Sequence, residues 1–175
     1  MNSKVALIIG AGTSLGSSIT KVFADDNFTV VPVRREGEKL KPLEEEINSK
    51  GGKCFSFSLD ARKEDEVQNF IERVEREIGE IEVAVYNIGA NIKYNLTETS
   101  SKKYFKVWEM ATFGAFLMGR EVAKNMIKRK RGTIIFTGAT ASIRGGDGFS
   151  AFAGAKNAKR ALAQSMAREL GPKGI

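Results

Sequence analysis

The segment "SAFAGAKNAKRAL" at 150–162 has the small residues of a packed helix, and Lys156 follows the aromatic ring of Phe152 by four positions. Residues four apart lie on the same face of a helix, so the lysine and the ring should be neighbours. A lysine beside a tyrosine hydroxyl is suited to proton transfer, but Phe152 has no hydroxyl. The segment therefore has the spacing for proton transfer without the group that would carry the proton.

A glycine-rich turn indicates a second kind of chemistry. The segment "IIGAGTSLGSSI" follows an apolar run and precedes a helix-like stretch. Gly10, Gly12 and Gly16 would let the backbone approach a pyrophosphate at the positive end of that helix. Ser14 and Leu15 lie in the same turn and are expected to contact the same ligand. The turn therefore predicts a dinucleotide site.

The same turn contains "GTSLG", which matches the G-x-S-x-G elbow that presents a nucleophilic serine in α/β-hydrolases. Ser14 would be that nucleophile. A serine needs a base to activate it, and the chain has no histidine. The sequence therefore favours dinucleotide binding over hydrolysis.

Composition limits the class of protein. With 175 residues, 42% of them hydrophobic and 28% charged, the chain is long enough for one globular domain. It has no apolar run near the roughly 18 residues needed to span a bilayer and no signal-peptide pattern, so we expect a cytoplasmic location and no membrane partner. The lack of histidine predicts that there is no metal site. The single cysteine, Cys54, is expected in the core.

The net charge of +7 raises nucleic-acid binding as an alternative. The densest basic run, "KRKRG" at 128–132, stands where a helix should end, and cations are favoured at that end of a helix dipole. No nucleic-acid-binding motif accompanies the run. We therefore expect no nucleic-acid partner.

Strand-like and helix-like segments alternate along the chain. Apolar, β-branched runs predict strands at 4–9, 28–33, 54–58, 83–87 and 133–137. The intervening stretches predict helices near 15–26, 37–50, 64–78, 101–129 and 151–170. Because alternating strands and helices form crossover units, the sequence predicts an α/β fold with a Rossmann-like, doubly wound parallel sheet.

Four segments, including the glycine turn, follow one another in a fixed order along the chain. They are the turn "GAGTSLG", the "LDA" that holds Asp60 and Ala61, the "YNIGA" that holds Asn87 and Gly89, and the tail "FAGAKNAKRALAQSMARELGPKGI". Together they resemble the short-chain dehydrogenase/reductase family over the whole chain, although Ser14 replaces a usual glycine. The resemblance implies binding of NAD(P), with Asp60 near the adenine, and a small-molecule substrate of unknown identity.

The resemblance also implies four catalytic groups, of which this chain keeps one. Lys156 stands at the position of the lysine that holds the nicotinamide ribose. Phe152 replaces the tyrosine that transfers the proton, and Ala139 replaces a serine thirteen residues earlier. Ala111 falls on the supporting asparagine, by its spacing to Gly114. The chain is therefore either an oxidoreductase with an altered active site or an inactive NADP(H)-binding relative that acts as a sensor or partner subunit.

Some nearby groups have two interpretations. Thr137, Thr140 and Ser142 offer hydroxyls that would replace the missing ones, but hydroxyls at a strand end usually satisfy the local backbone. Tyr86 lies within a predicted strand and is expected in the core. For Lys156, the alternative is a solvated lysine on a helix surface.

Two arginines indicate which cofactor is preferred. Arg34 and Arg35 end the second predicted strand, about 20 residues beyond the glycine turn, where an acidic residue would bind the ribose 2′-hydroxyl of NAD. Guanidinium groups there favour a 2′-phosphate, although Glu36 follows them. We therefore expect NADP(H) in preference to NAD(H).

The resemblance implies two further properties. Members commonly pair through helices corresponding to 101–129 and 151–170, so a homo-oligomer is expected. Members also continue through two more strands and a helical lid. We therefore expect residues 1–175 to form a single NAD(P)-binding domain, incomplete at its C-terminus, that lacks a full substrate site and leaves the strand at 133–137 as an apolar sheet edge.

Overall fold

The elements of the fold are those of a layered α/β protein. The computed structural model describes residues 4–175. The strands are β1 (Lys4–Ile9), β2 (Thr29–Arg34), β3 (Lys53–Cys54), β4 (Phe57–Ser58), β5 (Glu80–Tyr86) and β6 (Thr133–Phe136). The α-helices are α1 (Leu15–Asp25), α2 (Lys41–Ser49), α3 (Glu64–Glu77), α4 (Ser101–Trp108), α5 (Gly114–Arg129) and α6 (Ser150–Leu170). A π-helical turn, Glu109–Phe113, joins α4 to α5.

The strands form one parallel sheet in the order β3-β2-β1-β5-β6, with β4 also paired to β2. Strand β1 is apolar on both faces because helices cover both sides of the sheet. Leu7 packs in the cluster that includes residues of α3 and α5, whereas Ile8 packs in the cluster that includes residues of α1 and α2. The predicted fold class is confirmed. Strand β6 lies at the sheet edge, where Ile135 is 39% exposed.

The strand predicted at 54–58 is wrong as a single element. It forms two short pieces, β3 and β4, which pair with β2 in the same register. Between the pieces, the Ser56 amide donates to the Glu44 carboxylate at 3.3 Å. Pro32 of β2 lies at this point and has no N–H to donate, so the ladder is interrupted there. Cys54 is buried, as predicted, and burial raises the pKa of its thiol to about 12.

The helix predicted at 101–129 is also divided. The π-helical turn separates α4 from α5, and two tertiary hydrogen bonds hold this turn. The Tyr86 hydroxyl donates to the Met110 carbonyl at 2.6 Å, and the Thr112 hydroxyl donates to the Ala155 carbonyl at 2.7 Å. These partners are distant in sequence, so helical periodicity alone does not reveal the turn. The helix predicted at 37–50 likewise begins as a 3-10 turn, Gly37–Leu40, before α2.

The basic run at 128–132 lies at a helix end, as predicted. Helix α5 ends at Arg129, and Lys130 adopts a left-handed conformation with φ of 54°. Arg129 pairs with Glu75 at 2.7 Å, and Arg131 pairs with two carboxylates of β5. The two arginines of the run therefore have acidic partners within the fold. Among residues 4–175, no helix is long and apolar enough to cross a membrane.

Candidate active site

A first cavity of about 250 Å³ opens at the carboxyl ends of β1, β2 and β5. The strands are parallel, so the loops that follow them meet at one edge of the sheet, where α/β proteins bind their ligands. Eight of the residues expected at the cofactor line this cavity, and they are Gly10, Gly12, Arg34, Arg35, Asp60, Ala61, Asn87 and Gly89. The fold therefore brings together residues from four separate segments of the sequence.

The glycine turn fits closely against the rest of the site. Gly10 has φ of +96°, and its carbonyl accepts a hydrogen bond from the Asn87 side chain at 3.1 Å. A Cβ on Gly16 would lie 2.5 Å from the Gly10 carbonyl oxygen, whereas a Cβ on Gly12 would meet nothing within 4 Å. Gly16 thus allows close packing of α1, and Gly12 leaves space at the cavity wall. These features fit a pyrophosphate at the start of α1.

Four residues expected at the cofactor do not line the first cavity: Lys156, described below, and three residues at the start of α1. Ser14 and Leu15 are exposed where α1 begins, and Gly16 is buried against the turn. Within residues 4–175, the Ser14 hydroxyl has no hydrogen bond to a base, and it is the Ser14 carbonyl that accepts a bond from Ser17 at 2.8 Å. The arrangement lacks the base that the hydrolase interpretation requires.

Substitution at the two glycines should separate packing from ligand binding. We expect Gly16→Ala to lower stability by about 1–3 kcal/mol, because its methyl group meets backbone atoms that cannot rotate away. Gly12→Ala should keep the stability of the parent and weaken dinucleotide binding. Thermal unfolding and calorimetric titration with NADPH measure the two effects. Equal melting temperatures for the parent and Gly16→Ala would contradict the packing argument.

The end of β2 places two cations beside the first cavity. Arg34 and Arg35 both line it, and neither forms an ion pair within the part of the chain that the structure describes. Glu36 instead pairs with Lys39 at 2.5 Å, and this contact lowers the pKa of Glu36. The acidic residue that follows the arginines therefore has a different partner, and both guanidinium groups remain available for an anion.

A third arginine at this cavity was missed by the sequence analysis. The Arg62 Nε donates to an Asp60 carboxylate oxygen at 2.8 Å, and a second nitrogen of Arg62 contacts the other oxygen. This pairing lowers the pKa of Asp60. Arg62 also approaches Glu109 at 3.6 Å. Asp60 therefore lines the cavity as a carboxylate with a fixed orientation. In the sequence, the only indication that Arg62 pairs with Asp60 was their two-residue spacing in "LDARK".

A second cavity, of about 460 Å³, lies between the end of β6 and the start of α6. Ala139 and Phe152 both line it, so the positions expected for a serine and a tyrosine face the same space. Arg144 and Phe149 contribute to the same wall. Ala111 is fully buried in the π-helical turn and does not reach either cavity. The second cavity therefore has an apolar wall where proton-donating groups were expected.

Lys156 is buried, so the alternative of a solvated lysine is wrong. It is 5% exposed, and its Nζ donates to the Thr137 carbonyl at 3.1 Å. The Nζ also lies 5.7 Å from the centre of the Phe152 ring. A Cβ on Gly89 would come within 3.2 Å of this Nζ, so the glycine leaves room for the lysine. Lys156 therefore stands between Gly89 of the first cavity and Phe152 of the second.

A second buried lysine was missed. Lys159 is 2% exposed, and its Nζ donates to the Ile88 carbonyl at 3.3 Å. Burial, followed by repulsion from Lys156, lowers the pKa of Lys159 to about 7. The signal in the sequence was the three-residue spacing from Lys156, which places both side chains on one face of α6.

The candidate replacement hydroxyls mostly satisfy the backbone, as predicted. Thr137 donates to the Tyr86 carbonyl at 3.3 Å, and Ser142 accepts the Ala139 amide at 3.0 Å. Tyr86 is fully buried, and burial raises the pKa of its phenol above the usual range. Thr140 differs from the others because it lines the second cavity.

Comparison with known proteins decides the family. A family model described as short chain dehydrogenase matches residues 4–175. The chain belongs to the short-chain dehydrogenase family. Members of this family bind NAD(P), and the glycine turn and parallel sheet described above form the corresponding Rossmann-like fold.

Individual relatives of this chain differ widely in their sequence identity to it. It is 28% identical over 170 residues to a 2-dehydro-3-deoxy-D-gluconate 5-dehydrogenase from Formosa agariphila, covering 97% of this chain and 64% of that protein. The crystal structure of a short-chain dehydrogenase from Rhodopseudomonas palustris is 51% identical with a TM-score of 0.95, over 100% of this chain and 82% of that chain.

A third comparison concerns the fold and a cofactor. The structure of an actinorhodin polyketide ketoreductase with NADPH matches with a TM-score of 0.94 and 23% identity, over 99% of this chain and 67% of that chain. At this identity the likeness shows the fold alone.

Proposed function

We propose that this chain contributes the cofactor site and part of the active site of an NADP(H)-dependent oxidoreductase that interconverts a carbonyl and an alcohol. The observation that carries the proposal is the position of Lys156, next to Gly89 of the first cavity and Phe152 of the second. A side chain there is within reach of a cofactor on one side and a substrate on the other.

The first cavity offers a group for each part of the dinucleotide. The glycine turn presents backbone amides to the pyrophosphate, and Asp60 stands at the adenine side. Arg34 and Arg35, which form no ion pair within residues 4–175, supply two cations for a 2′-phosphate, which NADP(H) has and NAD(H) lacks. Lys156 is the hydrogen-bond donor for the nicotinamide ribose. When bound, the nicotinamide supplies or accepts the hydride.

The second cavity determines what the protein can do with a substrate. Reduction of a carbonyl places negative charge on its oxygen, which needs hydrogen bonds and a proton. Phe152 and Ala139 supply neither, and Thr140 offers one hydroxyl at the wall. We infer that ordinary ketones are reduced slowly and that the proton comes from a group other than an aromatic hydroxyl.

A second candidate function follows from the same apolar wall. Phe152 and Ala139, which line the second cavity, would suit a relative that binds NADP(H) without chemistry and acts as a sensor or partner subunit. Hydride transfer from NADPH to a panel of ketones and aldehydes, and from alcohols to NADP⁺, separates the candidates. Turnover of any pair supports the oxidoreductase. Tight NADPH binding with no turnover across the panel would overturn it in favour of the sensor.

Removal of Lys156 tests the cofactor contact directly. We expect Lys156→Met to weaken NADPH binding by about 10- to 100-fold, the effect of losing one charge-assisted hydrogen bond. The variant should fold, because methionine fills the buried path of the lysine chain without burying a charge. Calorimetric titration measures the affinity, and Lys102→Met, at an exposed lysine of α4, is the matched control. Unchanged affinity for Lys156→Met would show that this lysine does not contact the cofactor.

A further inference from the structure

Helix α6 presents two lysines to the protein interior. Lys156 and Lys159 are three residues apart, lie on one face of the helix, and are 5% and 2% exposed. A buried ammonium group is expensive unless a carboxylate or several hydrogen bonds compensate it. Two such groups side by side therefore need an explanation beyond packing.

The partners of the two lysines only weakly stabilise positive charge. The Lys159 Nζ contacts the Ile88 carbonyl and lies 5.6 Å from the centre of the Tyr86 ring. The Lys156 Nζ contacts the Thr137 carbonyl and the face of the Phe152 ring. Neither lysine has a carboxylate within 4 Å among residues 4–175, and the two side chains are close enough for each to shift the pKa of the other.

The surrounding elements supply no opposite charge to the pair. Strand β6 contains no ionisable residue, and the Tyr86 phenol of β5 stays neutral because burial raises its pKa. Glu109 of the π-helical turn is directed to Arg62 at 3.6 Å. The lysines of the adjacent helix α4 are exposed.

Charge on one lysine therefore opposes charge on the other. Burial lowers the pKa of Lys156, and burial together with repulsion from Lys156 lowers the pKa of Lys159 to about 7. Two interacting groups of this kind titrate as a pair. As the pH rises through about 7, the pair therefore passes from two protons to one.

We propose that Lys156 and Lys159 work as one proton-transfer pair, in which Lys156 exchanges the proton with the substrate oxygen in place of the hydroxyl that Phe152 lacks. This inference rests on the proposed oxidoreductase function. Lys156 is the catalytic residue because its Nζ lies beside Gly89 of the first cavity and 5.7 Å from the ring centre of Phe152, which lines the second cavity. Lys159 is a positioning residue that acts through Lys156, since its Nζ contacts the Ile88 carbonyl and the Tyr86 ring and not Phe152.

The proton and electron balance of the step is simple. In the reduction direction the carbonyl carbon accepts a hydride from the reduced cofactor, which is oxidised, and the carbonyl π electrons move to oxygen. The oxygen takes a proton from the Lys156 Nζ, whose bonding pair remains on nitrogen. The proton that remains on Lys159 is then shared between the two amines, so the pair passes from two protons to one. An acid that titrates near neutral pH is well matched to this task.

The decisive experiment is a titration of the intact chain labelled with ¹³C and ¹⁵N at lysine. We expect one lysine to titrate near pH 7, with the second titrating well above it. In Lys159→Met, the Lys156 signal should titrate at least about one pH unit above the lower midpoint of the parent, because the like charge is gone. Lys102→Met should leave both midpoints unchanged. If every lysine of the parent titrated above about pH 9.5, the pair would be excluded without any variant.

Activity provides a separate readout. With any carbonyl that the protein reduces, the rate should fall as the pH rises through about 7, and Lys159→Met should move that midpoint upward. The NADPH affinity of Lys159→Met below pH 7 should differ from that of the parent by less than about threefold, since Lys156 remains charged in both. Turnover with a pH profile unaffected by Lys159→Met overturns the proton-transfer pair and leaves the oxidoreductase standing. A lysine midpoint near 7 with no turnover on any substrate instead overturns the proposed function, and the catalytic role of the pair with it.

The pH dependence of the stability of the folded chain provides a further test, because the direction of the change is defined. An unfolded lysine has a pKa of about 10.4, so both states are neutral above that pH. Between about pH 10.4 and 7 the unfolded chain gains a proton at Lys159 that the folded chain does not, and stability falls as the pH falls. Lys159→Met should therefore melt at a higher temperature than the parent at pH 7 and at a similar temperature above pH 10.4. A lower melting temperature at pH 7 would mean that the buried lysine stabilises the fold.

Discussion

Replacing Arg34 and Arg35 together by alanine should weaken NADPH binding by about 10²- to 10⁴-fold, because each charged hydrogen bond to a phosphate contributes about 1.5–3 kcal/mol. NADH binding should change by less than about threefold, since its ribose hydroxyl does not need a cation. The two guanidinium groups line the first cavity and have no ion-pair partner within residues 4–175, so an incoming phosphate need not displace a carboxylate. Calorimetric titration of both cofactors measures the change.

Two controls make this result specific. Arg160→Ala removes an exposed arginine from α6, away from the cavity, and should leave both affinities unchanged. Lys39→Ala releases Glu36, whose carboxylate is then free to approach the arginines, so it should reduce the preference for NADPH without changing NADH binding. Equal affinities of the parent for NADPH and NADH would refute the assignment of these arginines.

Restoring two missing hydroxyls should raise the rate of carbonyl reduction. We expect Phe152→Tyr with Ala139→Ser to increase it by about 10²-fold, within the range contributed by a positioned general acid. Both positions line the second cavity, and the Lys156 Nζ lies 5.7 Å from the centre of the Phe152 ring. A hydroxyl on this ring would therefore stand between the lysine and the substrate. Single-turnover hydride transfer from NADPH measures the rate without product release.

The neighbouring ring gives a matched control for this gain. Phe149 lines the same cavity with its ring centre 6.3 Å from that of Phe152, but it is not one helical turn before Lys156. Phe149→Tyr should leave the rate within about threefold of the parent. The double substitution should also restore activity to Lys159→Met, because a tyrosine would take over the proton transfer. No gain with any substrate would mean that the second cavity lacks more than two hydroxyls.

The parts of the site that sequence predicted are those built from local patterns at strand ends. Gly10, Gly12 and Asn87 follow apolar runs, and parallel strands end at the same edge of a sheet, so their meeting could be anticipated. Arg34 and Arg35 were found in the same way. Their availability for a phosphate was not, because it depends on the pairing of Glu36 with Lys39.

The features that the sequence did not predict depend on contacts that become apparent only in the folded chain. From the sequence alone, Arg62 is expected to be an exposed loop residue. The structure shows that it contacts both Asp60 and Glu109. From the sequence alone, Lys159 is expected to be a polar residue on a helix surface. Its burial becomes apparent only from the structure, in which α6 packs so that the Lys159 Nζ contacts the Ile88 carbonyl. The oligomeric state, the cytoplasmic location and the extent of the substrate site stay predictions.

The π-helical turn Glu109–Phe113 has a consequence for how this family member can change over generations. Its position is fixed at both sides, by the bond from Tyr86 to Met110 and by the bond from Thr112 to Ala155. Loss of one residue here would rotate α5 by about 100° relative to the sheet and turn Leu117 and Met118 away from the core. Point substitutions in the turn leave that phase intact. Selection should therefore remove insertions and deletions in this segment, and should restrict residue type mainly at the buried Ala111 and Thr112, so the length of the segment would be inherited more faithfully than the rest of its sequence.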